Sequence, residues 1–132
     1  MKYSKDWKTE ILARGSYKGY EYICVSYGCH PCAYIAISEG QPYYEVNDFD
    51  DVRIKCHGGC TYARWGYSGI FEDSYKVVGW DYAHYDDYSG IYEKDSPRFR
   101  QGKKWTTQEI IEECKDFIER LYRLEHFETL YE

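Results

Sequence analysis

The C-terminal region carries the pattern that most restricts the fold. Between residues 107 and 124, apolar side chains recur at helical spacing, at Ile110, Ile111, Cys114, Phe117, Ile118, Leu121 and Leu124. Thr106 and Glu109 fit a capping box at the start of this helix, and Trp105 and Ile110 fit a hydrophobic staple around it. A helix with a single apolar stripe is stable only when another element covers that stripe. The preceding sequence must supply that surface.

The preceding sequence predicts a β-sheet as the partner of the helix. Residues 17–38 predict two strands around a turn at residues 28–31, and a further strand is expected from Tyr75. Residues 51–56, "DVRIKC", alternate apolar and charged residues and predict a half-buried strand. Segments rich in turn-forming or polar residues, at 39–50 and 89–104, predict loops.

The order of these elements predicts an α+β fold in a single domain. A small, mostly antiparallel sheet would carry the C-terminal amphipathic helix on one face. The domain would span residues 1–132, with its core at about residues 17–124 and its helix at about 107–124.

Charge and aromatic content limit the possible partners. Lys and Arg total 17 against 23 Asp and Glu, a net charge of −6, which disfavours a nucleic-acid polymer or an anionic membrane as partner. A small phosphorylated ligand needs only a few local cations and stays compatible. The 17 tyrosines and four tryptophans suit stacking surfaces, although sheet faces also favour such residues, and both interpretations remain open.

The sequence shows no targeting pattern. Its start is polar, and its longest strongly apolar run, "CAYIAI", is too short to span a bilayer. We therefore expect an intracellular protein with six reduced cysteines. A secreted disulfide scaffold is the competing interpretation of an even cysteine count.

The stretch "KCHGGCTY", residues 55–62, allows three interpretations. A metal could be held by Cys56, His57 and Cys60, or zinc by the thiolates of Cys29, Cys32, Cys56 and Cys60. An anion could be held on amides turned outward at Gly58 and Gly59, with His57 at the rim. Alternatively, this is a tight turn whose cysteines pack inward. The second cysteine pair is one residue longer than the usual zinc knuckle, so the anion interpretation needs fewer coincidences. Redox use of "CHPC" is disfavoured because no helix follows it.

A second candidate segment is "GWDYAHYDDY", residues 79–88. Its Asp81 and His84 are three residues apart, and a carboxylate beside an imidazole orients the ring and raises its basicity. His57, Asp81, His84 and Asp87 would suffice for a divalent metal if the two segments meet in space. The alternative is a solvated acidic loop.

Taken together, the motifs resemble those of a widespread group of small uncharacterised accessory proteins encoded by tailed phages. The resemblance covers about residues 20–124 and rests on four patterns. They are His30, Cys32 and Tyr34; His57, Gly58, Gly59, Thr61 and Tyr62; Gly79, Trp80, Asp81, Ala83, His84 and Asp87; and Glu113 with Cys114. In that group the positions of Cys56 and Cys60 are apolar and Cys29 has no counterpart, so the resemblance does not imply a cysteine zinc site.

The resemblance implies a phage protein acting in the cytoplasm of the infected bacterium. Phage proteins of this kind often disarm host defences that signal with cyclic nucleotides or ADP-ribose derivatives. We expect no resident metal or cofactor, although a hydrolase would need to bind a divalent metal or use acid–base residues.

The sequence and the resemblance favour three functions, in the following order. The first is sequestration of a nucleotide-derived signal, with a homo-oligomer enclosing the ligand. The second is phosphodiester hydrolysis, with His57, His84, Asp81 and Asp87 as catalytic residues. The third is inhibition of a host protein. The predicted ligand contacts are Arg53, His57, Gly58, Gly59, Thr61, Tyr62, Arg64, Trp80, Asp81, His84 and Asp87.

Overall fold

The computed structural model describes residues 9–28, 30–83 and 103–127. Within them, five strands form one antiparallel sheet in the order β1-β2-β3-β5-β4. The strands are β1 (Glu10–Tyr17), β2 (Tyr20–Ser26), β3 (Pro31–Ile37), β4 (Tyr62–Tyr67) and β5 (Phe71–Asp81). The predicted α+β class, the hairpin around residues 28–31 and the strand through Tyr75 are confirmed.

The helix α1 (Thr107–His126) packs on β1, β2 and β3. Its capping box is present: the Thr106 hydroxyl accepts from the Glu109 amide at 3.2 Å, and the Glu109 carboxylate accepts from the Thr106 amide at 3.1 Å. Its buried stripe is Ile110, Cys114, Phe117, Ile118 and Leu121. Each large apolar side chain buried there contributes about 1.5–3 kcal/mol. This burial holds the helix on the sheet.

No helix of the described residues is long and apolar enough to cross a membrane.

The two faces of the sheet carry separate cores. The helix face holds alternate residues of the central strands, such as Cys24, Ile35 and Trp80. The opposite face holds their neighbours, such as Val25 and Tyr34. This alternation is the two-residue period of a strand, and it determines which side chains share a site.

The predicted strand at residues 51–56 is wrong, although its alternation is real. A short 3-10 helix (Phe49–Asp51) leads into residues 52–56, which are extended at Val52, bend at Ile54 and pair with no strand; we name them the extended segment. In it Val52, Ile54 and Cys56 are buried in the helix-face core, while Arg53 and Lys55 are exposed. The segment packs against the helix-face core beside α1 and pairs with no strand of the sheet.

The loop before this segment is fastened to β4 and β5. The Tyr44 hydroxyl donates to the Ser74 carbonyl at 3.0 Å, and the Tyr44 ring meets Trp65 edge-on at 4.9 Å between centroids. Lys76, only 2% exposed, donates to the Val46 carbonyl and lies 4.0 Å from the Trp65 ring centroid. Burial lowers the pKa of Lys76. These contacts fix the path of residues 43–46 over the sheet.

Two strands, β1 and β4, were not predicted, and β1 extends the sheet before the predicted core boundary at residue 17. Both lie at the edges of the sheet, where one side of each strand has no partner strand. Their side chains are mostly exposed or half-buried, so the sequence alternates weakly there. In β4, Gly66 (φ 73°) lies at an irregularity in the pairing with β5.

Candidate functional site

Residues 56–59 form the predicted tight turn. The Gly59 amide donates to the Cys56 carbonyl at 3.0 Å, and Gly58 and Gly59 have φ values of 69° and 83°. Glycine adopts this left-handed conformation without strain, which explains the Gly-Gly pair. One of the two amides expected to bind an anion is therefore used inside the turn.

The cysteines of this turn pack inward, as one interpretation predicted. Cys56 is buried in the helix-face core, and the half-buried Cys60 packs against that core. Burial, and next the proximity of Cys60, raise the pKa of Cys56 to about 12. Burial also raises the pKa of Cys60. Both thiols are protonated at neutral pH, and a protonated thiol is a poor nucleophile.

The described residues contain no group of three or more His, Cys, Asp or Glu side chains placed to hold a metal ion. The four-thiolate zinc hypothesis also involves Cys29, which lies outside the described residues. Cys32, its neighbour in "CHPC", is buried on the opposite face of the sheet, whereas Cys56 belongs to the helix face. These two cysteines are therefore on different sides of the sheet.

His57 packs on aromatic rings near the start of α1. Its ring stacks on Tyr82, with centroids 4.6 Å apart and planes within 10°, and meets the edge of Trp105 at 4.9 Å. Tyr82 is 1% exposed, donates to Glu113 and accepts from the Trp80 indole at 3.1 Å. His57 therefore covers the edge of the helix-face core.

The two sequence motifs meet on β4 and β5. The Thr61 amide donates to the Gly79 carbonyl at 2.9 Å, and Tyr62 is the register partner of Gly79. The Thr61 hydroxyl donates to the Asp81 carboxylate at 3.4 Å, whose other oxygen accepts from the Ala83 amide at 3.1 Å. Residues 20 positions apart in sequence thus form one polar group at the strand ends.

Asp81 projects from the opposite face, because its register partner is Cys32 of the opposite-face core. There it borders a cleft of about 230 Å³. The cleft, which we name the tyrosine cleft, is lined by Tyr27, His30, Cys32, Tyr34, Thr61, Tyr62, Trp80 and Asp81. A carboxylate, a hydroxyl and several aromatic rings therefore share one concave surface.

The tyrosines of the cleft hold one another in place. The Tyr27 hydroxyl bonds to the Tyr34 hydroxyl at 2.9 Å and to the Tyr67 hydroxyl. The Tyr34 ring meets Tyr62 and Tyr67 edge-on, at centroid distances of 5.1 and 4.8 Å. Burial raises the pKa of Tyr34 and of Tyr67 well above the ordinary value. The hydroxyls are therefore protonated, fixed hydrogen-bonding groups at neutral pH.

Gly79 makes room for this arrangement. A Cβ atom at Gly79 would lie 2.4 Å from the Ala33 carbonyl oxygen and 2.5 Å from the Tyr34 ring. Only glycine lets the Tyr34 ring lie against the backbone of β5 at this point. The glycine of the "GWD" motif therefore has a packing role in the cleft.

Three other predicted ligand contacts have different settings. Arg64 is exposed, and its guanidinium lies 5.7 Å from the centroid of the Tyr62 ring, beside the tyrosine cleft. Arg53 lies on the other side of the molecule, where it lines a cleft between its own segment, residues 52–56, and α1. Trp80 was expected to offer a stacking surface, but it is 1% exposed and packs on Phe117 at 5.0 Å. Its ring belongs to the core.

The predicted histidine–aspartate set is divided. His57 stacks on the helix face, while Asp81 lies on the opposite face, and His57 does not line the tyrosine cleft. His84 and Asp87 lie outside the described residues. Within the described ranges, the predicted contacts that come together at the tyrosine cleft are Thr61, Tyr62, Asp81, the buried Trp80 and the nearby Arg64.

Some cleft residues were not predicted as site residues. His30, Cys32 and Tyr34 stood in the resemblance pattern without an assigned role, and Tyr27 was not singled out. The signal that identifies Cys32 and Tyr34 is their strand alternation, which places them on the face shared with Asp81. Comparison with models of protein families, with curated proteins and with solved structures finds no match. The relationship to the phage group stays a prediction.

Proposed function

We propose that this protein binds and sequesters a small nucleotide-derived signal, such as a cyclic nucleotide or an ADP-ribose derivative, in the tyrosine cleft. The observation that supports the proposal is the meeting of Thr61, Tyr62 and Asp81, from two motifs, at a cleft lined with tyrosines. Its biological setting, inhibition of immune signalling in a phage-infected bacterium, rests on the resemblance described above.

The groups of the cleft suit a nucleoside. Stacking of a base on an aromatic side chain contributes about 1–3 kcal/mol. The Asp81 carboxylate accepts hydrogen bonds only, which fits a ribose hydroxyl or the amino group of a base. Arg64, beside Tyr62, supplies the positive charge for an attached phosphate. The proposed pose therefore places the nucleoside at Asp81 and its phosphate towards Arg64.

The size of the cleft supports a homo-oligomer. Its volume, about 230 Å³, is below the roughly 300–1,000 Å³ of typical ligand pockets. One protomer encloses a single nucleoside better than a whole cyclic dinucleotide or ADP-ribose. A second copy covering the exposed part of the ligand would complete the enclosure, as expected for a sequestering protein.

Binding is favoured over hydrolysis by the separation of His57 from Asp81, the two predicted catalytic residues that the structure describes. A general acid–base mechanism needs its groups within hydrogen-bond reach of the same substrate atoms. His57 and Asp81 lie on opposite faces of the sheet. Thr61 and Ala83 hold the Asp81 carboxylate by hydrogen bonds, an arrangement suited to ligand recognition.

The test is to incubate the purified protein with cyclic dinucleotides and ADP-ribose-derived signals and to analyse the bound and free fractions by mass spectrometry. We expect an intact molecule that stays with the protein and is released on denaturation. Cleavage products would replace sequestration by the hydrolase function. If no molecule were bound or cleaved, the proposal would be wrong, and a host-protein target would be sought by affinity capture.

Two variants connect the result to the cleft. Asp81→Asn keeps the side-chain shape and removes its charge, so we expect at least a tenfold loss of affinity for the retained molecule, as for one charge-assisted hydrogen bond. The matched control is Asp73→Asn, the same change at an exposed position of β5, with no loss expected. Equal affinities for the two variants would place the ligand elsewhere.

A further inference from the structure

A second cleft lies on the helix-face side of the molecule. It has a volume of about 430 Å³ and separates the loop and extended segment from the C-terminal half of α1. We name it the basic cleft. It is lined by Tyr43, Arg53, Ile54, Lys55, Arg120, Arg123 and Leu124. Four of these seven residues are cationic, on a chain whose net charge is −6. The cleft is therefore locally positive, although the chain as a whole is negatively charged.

The four cations are not neutralised by ion pairs with the described acidic residues. The ion pairs found in residues 9–28, 30–83 and 103–127 involve Arg14, Lys18, Lys103 and His126 instead. The charge of Arg123 contributes to the lowered pKa of Glu119 on α1, but the main cause is a hydrogen bond from Lys18. At that bond the Lys18 ammonium lies 2.6 Å from the carboxylate. The charge of the basic cleft thus remains available to an anion.

The cleft is held open by contacts on both walls. Arg120 donates to the Lys55 carbonyl at 3.0 Å, which joins α1 to the extended segment. Tyr43 has a left-handed backbone, with φ 67°, and its hydroxyl accepts from the Arg53 amide at 3.4 Å. A bulky residue in that conformation persists only when its surroundings hold it, and such residues concentrate at ligand sites. The backbone at Arg53 and Lys55 and the side chain of Arg120 are therefore held in place before any ligand arrives.

Helix stability does not account for all four cations. Arg123 lies in the last turn of α1, where a positive charge complements the helix dipole. Arg53 and Lys55 belong to the extended segment and are exposed on its outer side. Their alternation with buried residues brings both to the same side as the helix arginines. Two separate elements thus contribute cations to one concave surface.

We propose that the basic cleft binds the phosphate groups of a small molecule carrying at least two negative charges. Arg53, Arg120 and Arg123 supply paired donors that match phosphate oxygens. Lys55 adds charge, and the Tyr43 ring packs against the organic part of the ligand. The site is separate from the tyrosine cleft, which lies on the other face of the sheet, and does not depend on the function proposed for that cleft.

The test is a titration of the full chain with inorganic pyrophosphate, followed by two-dimensional amide NMR. We expect saturable binding with one equivalent, and chemical-shift changes concentrated at Arg53, Lys55, Arg120 and Arg123. Scattered changes or no saturation would overturn the proposal. A parallel titration with ADP-ribose distinguishes the sources of the phosphate: tighter binding than pyrophosphate at these residues indicates a nucleotide ligand, and equal binding indicates recognition of the phosphates alone.

The matched variants are Arg53→Gln with Arg123→Gln, compared with Arg14→Gln with Lys115→Gln. Each pair removes two positive charges, but only the first lies in the basic cleft. We expect pyrophosphate affinity to fall about tenfold or more for each cleft arginine, as for a charge-assisted hydrogen bond. Equal losses in both pairs would mean that overall charge governs binding, which would contradict a site. If the double variant unfolds, Arg123→Gln alone and the NMR map of the wild type decide.

Discussion

The tyrosine cleft and the basic cleft differ in how the fold builds them. The tyrosine cleft is part of a sheet face: Tyr34 is 7% exposed, and its neighbours are fixed by strand register. The basic cleft lies between a helix and an extended segment, and its four cations are exposed. Changes to the first should therefore alter both stability and binding, whereas changes to the second should alter binding alone.

The largest expected effect is that of Tyr34→Ala. Deleting a buried aromatic side chain usually costs about 3–5 kcal/mol of unfolding free energy, because apolar burial is lost and a cavity remains. The change also removes the ring that meets Tyr62 and Tyr67. Denaturant unfolding monitored by circular dichroism measures the loss.

The counterpart in the basic cleft is Arg123→Ala. Surface substitutions away from packed features usually change stability by no more than about 0.5 kcal/mol. Arg123 meets that description, since it lies at the rim of the helix end. If Arg123→Ala destabilised the protein as much as Tyr34→Ala, the contrast between the two clefts would be wrong.

An effect on stability smaller than that of Tyr34→Ala is expected from adding one methyl group at Gly79. The new Cβ would meet the Ala33 carbonyl and the Tyr34 ring, so we expect Gly79→Ala to cost about 1–3 kcal/mol through overpacking. Gly59→Ala is the control, because nothing lies within 4 Å of a Cβ there and only the positive φ opposes the change. Thermal unfolding of the two variants compares them. A larger loss at Gly59 would contradict the packing role of Gly79.

The ionisation of the tyrosine cleft gives a pH test. Burial raises the pKa of Tyr34 and Tyr67 above the value of about 10 expected in the unfolded chain. A raised pKa in the folded state means that the stability contribution is complete below about pH 10 and is lost as the pH rises further. We therefore expect denaturant midpoints to fall above about pH 10, and to fall less steeply in Tyr34→Phe. An identical alkaline profile for that variant would remove Tyr34 as a cause.

The smallest expected effect is a difference in the salt dependence of ligand binding at the two clefts. It is measured on the wild-type protein. Exposed charges are screened over about 10 Å at 0.1 M ionic strength. Pyrophosphate binding at the basic cleft should weaken as salt rises, whereas stacking of a nucleoside at the tyrosine cleft should change little. Calorimetric titrations over a salt series measure both slopes. Parallel slopes would contradict the difference in charge between the two clefts.

The same contrast explains how much the sequence could predict. Helix α1 and its capping box depend on local periodicity, so they and the α+β fold were predicted from the sequence. The pairing of Cys32 with Asp81, which builds the tyrosine cleft, joins two non-consecutive strands and was not predicted. The alternation at Val52, Ile54 and Cys56 correctly predicted burial but not the absence of a strand partner. Pairing depends on which edges of the sheet are occupied, and no local pattern contains that information.

The basic cleft could not be predicted for the same reason. Arg53 was predicted to contact the same ligand as Gly58 and Gly59, but its neighbours in the cleft are Arg120 and Arg123, more than 65 positions further along the chain. His57 and Asp81 were expected in one site and lie on opposite faces. Local motifs identified several of the right residues, but their grouping follows from the tertiary structure.

The most direct test of the proposed function is an amide NMR titration of the wild-type protein with ADP-ribose and, separately, with a cyclic dinucleotide. We predict that at least one of these ligands shifts the signals of Thr61, Tyr62 and Asp81 in a saturable manner. If neither ligand moved these three signals, and any changes were confined to Arg53, Lys55, Arg120 and Arg123, the tyrosine cleft would not be the nucleotide site and the proposed function would be contradicted.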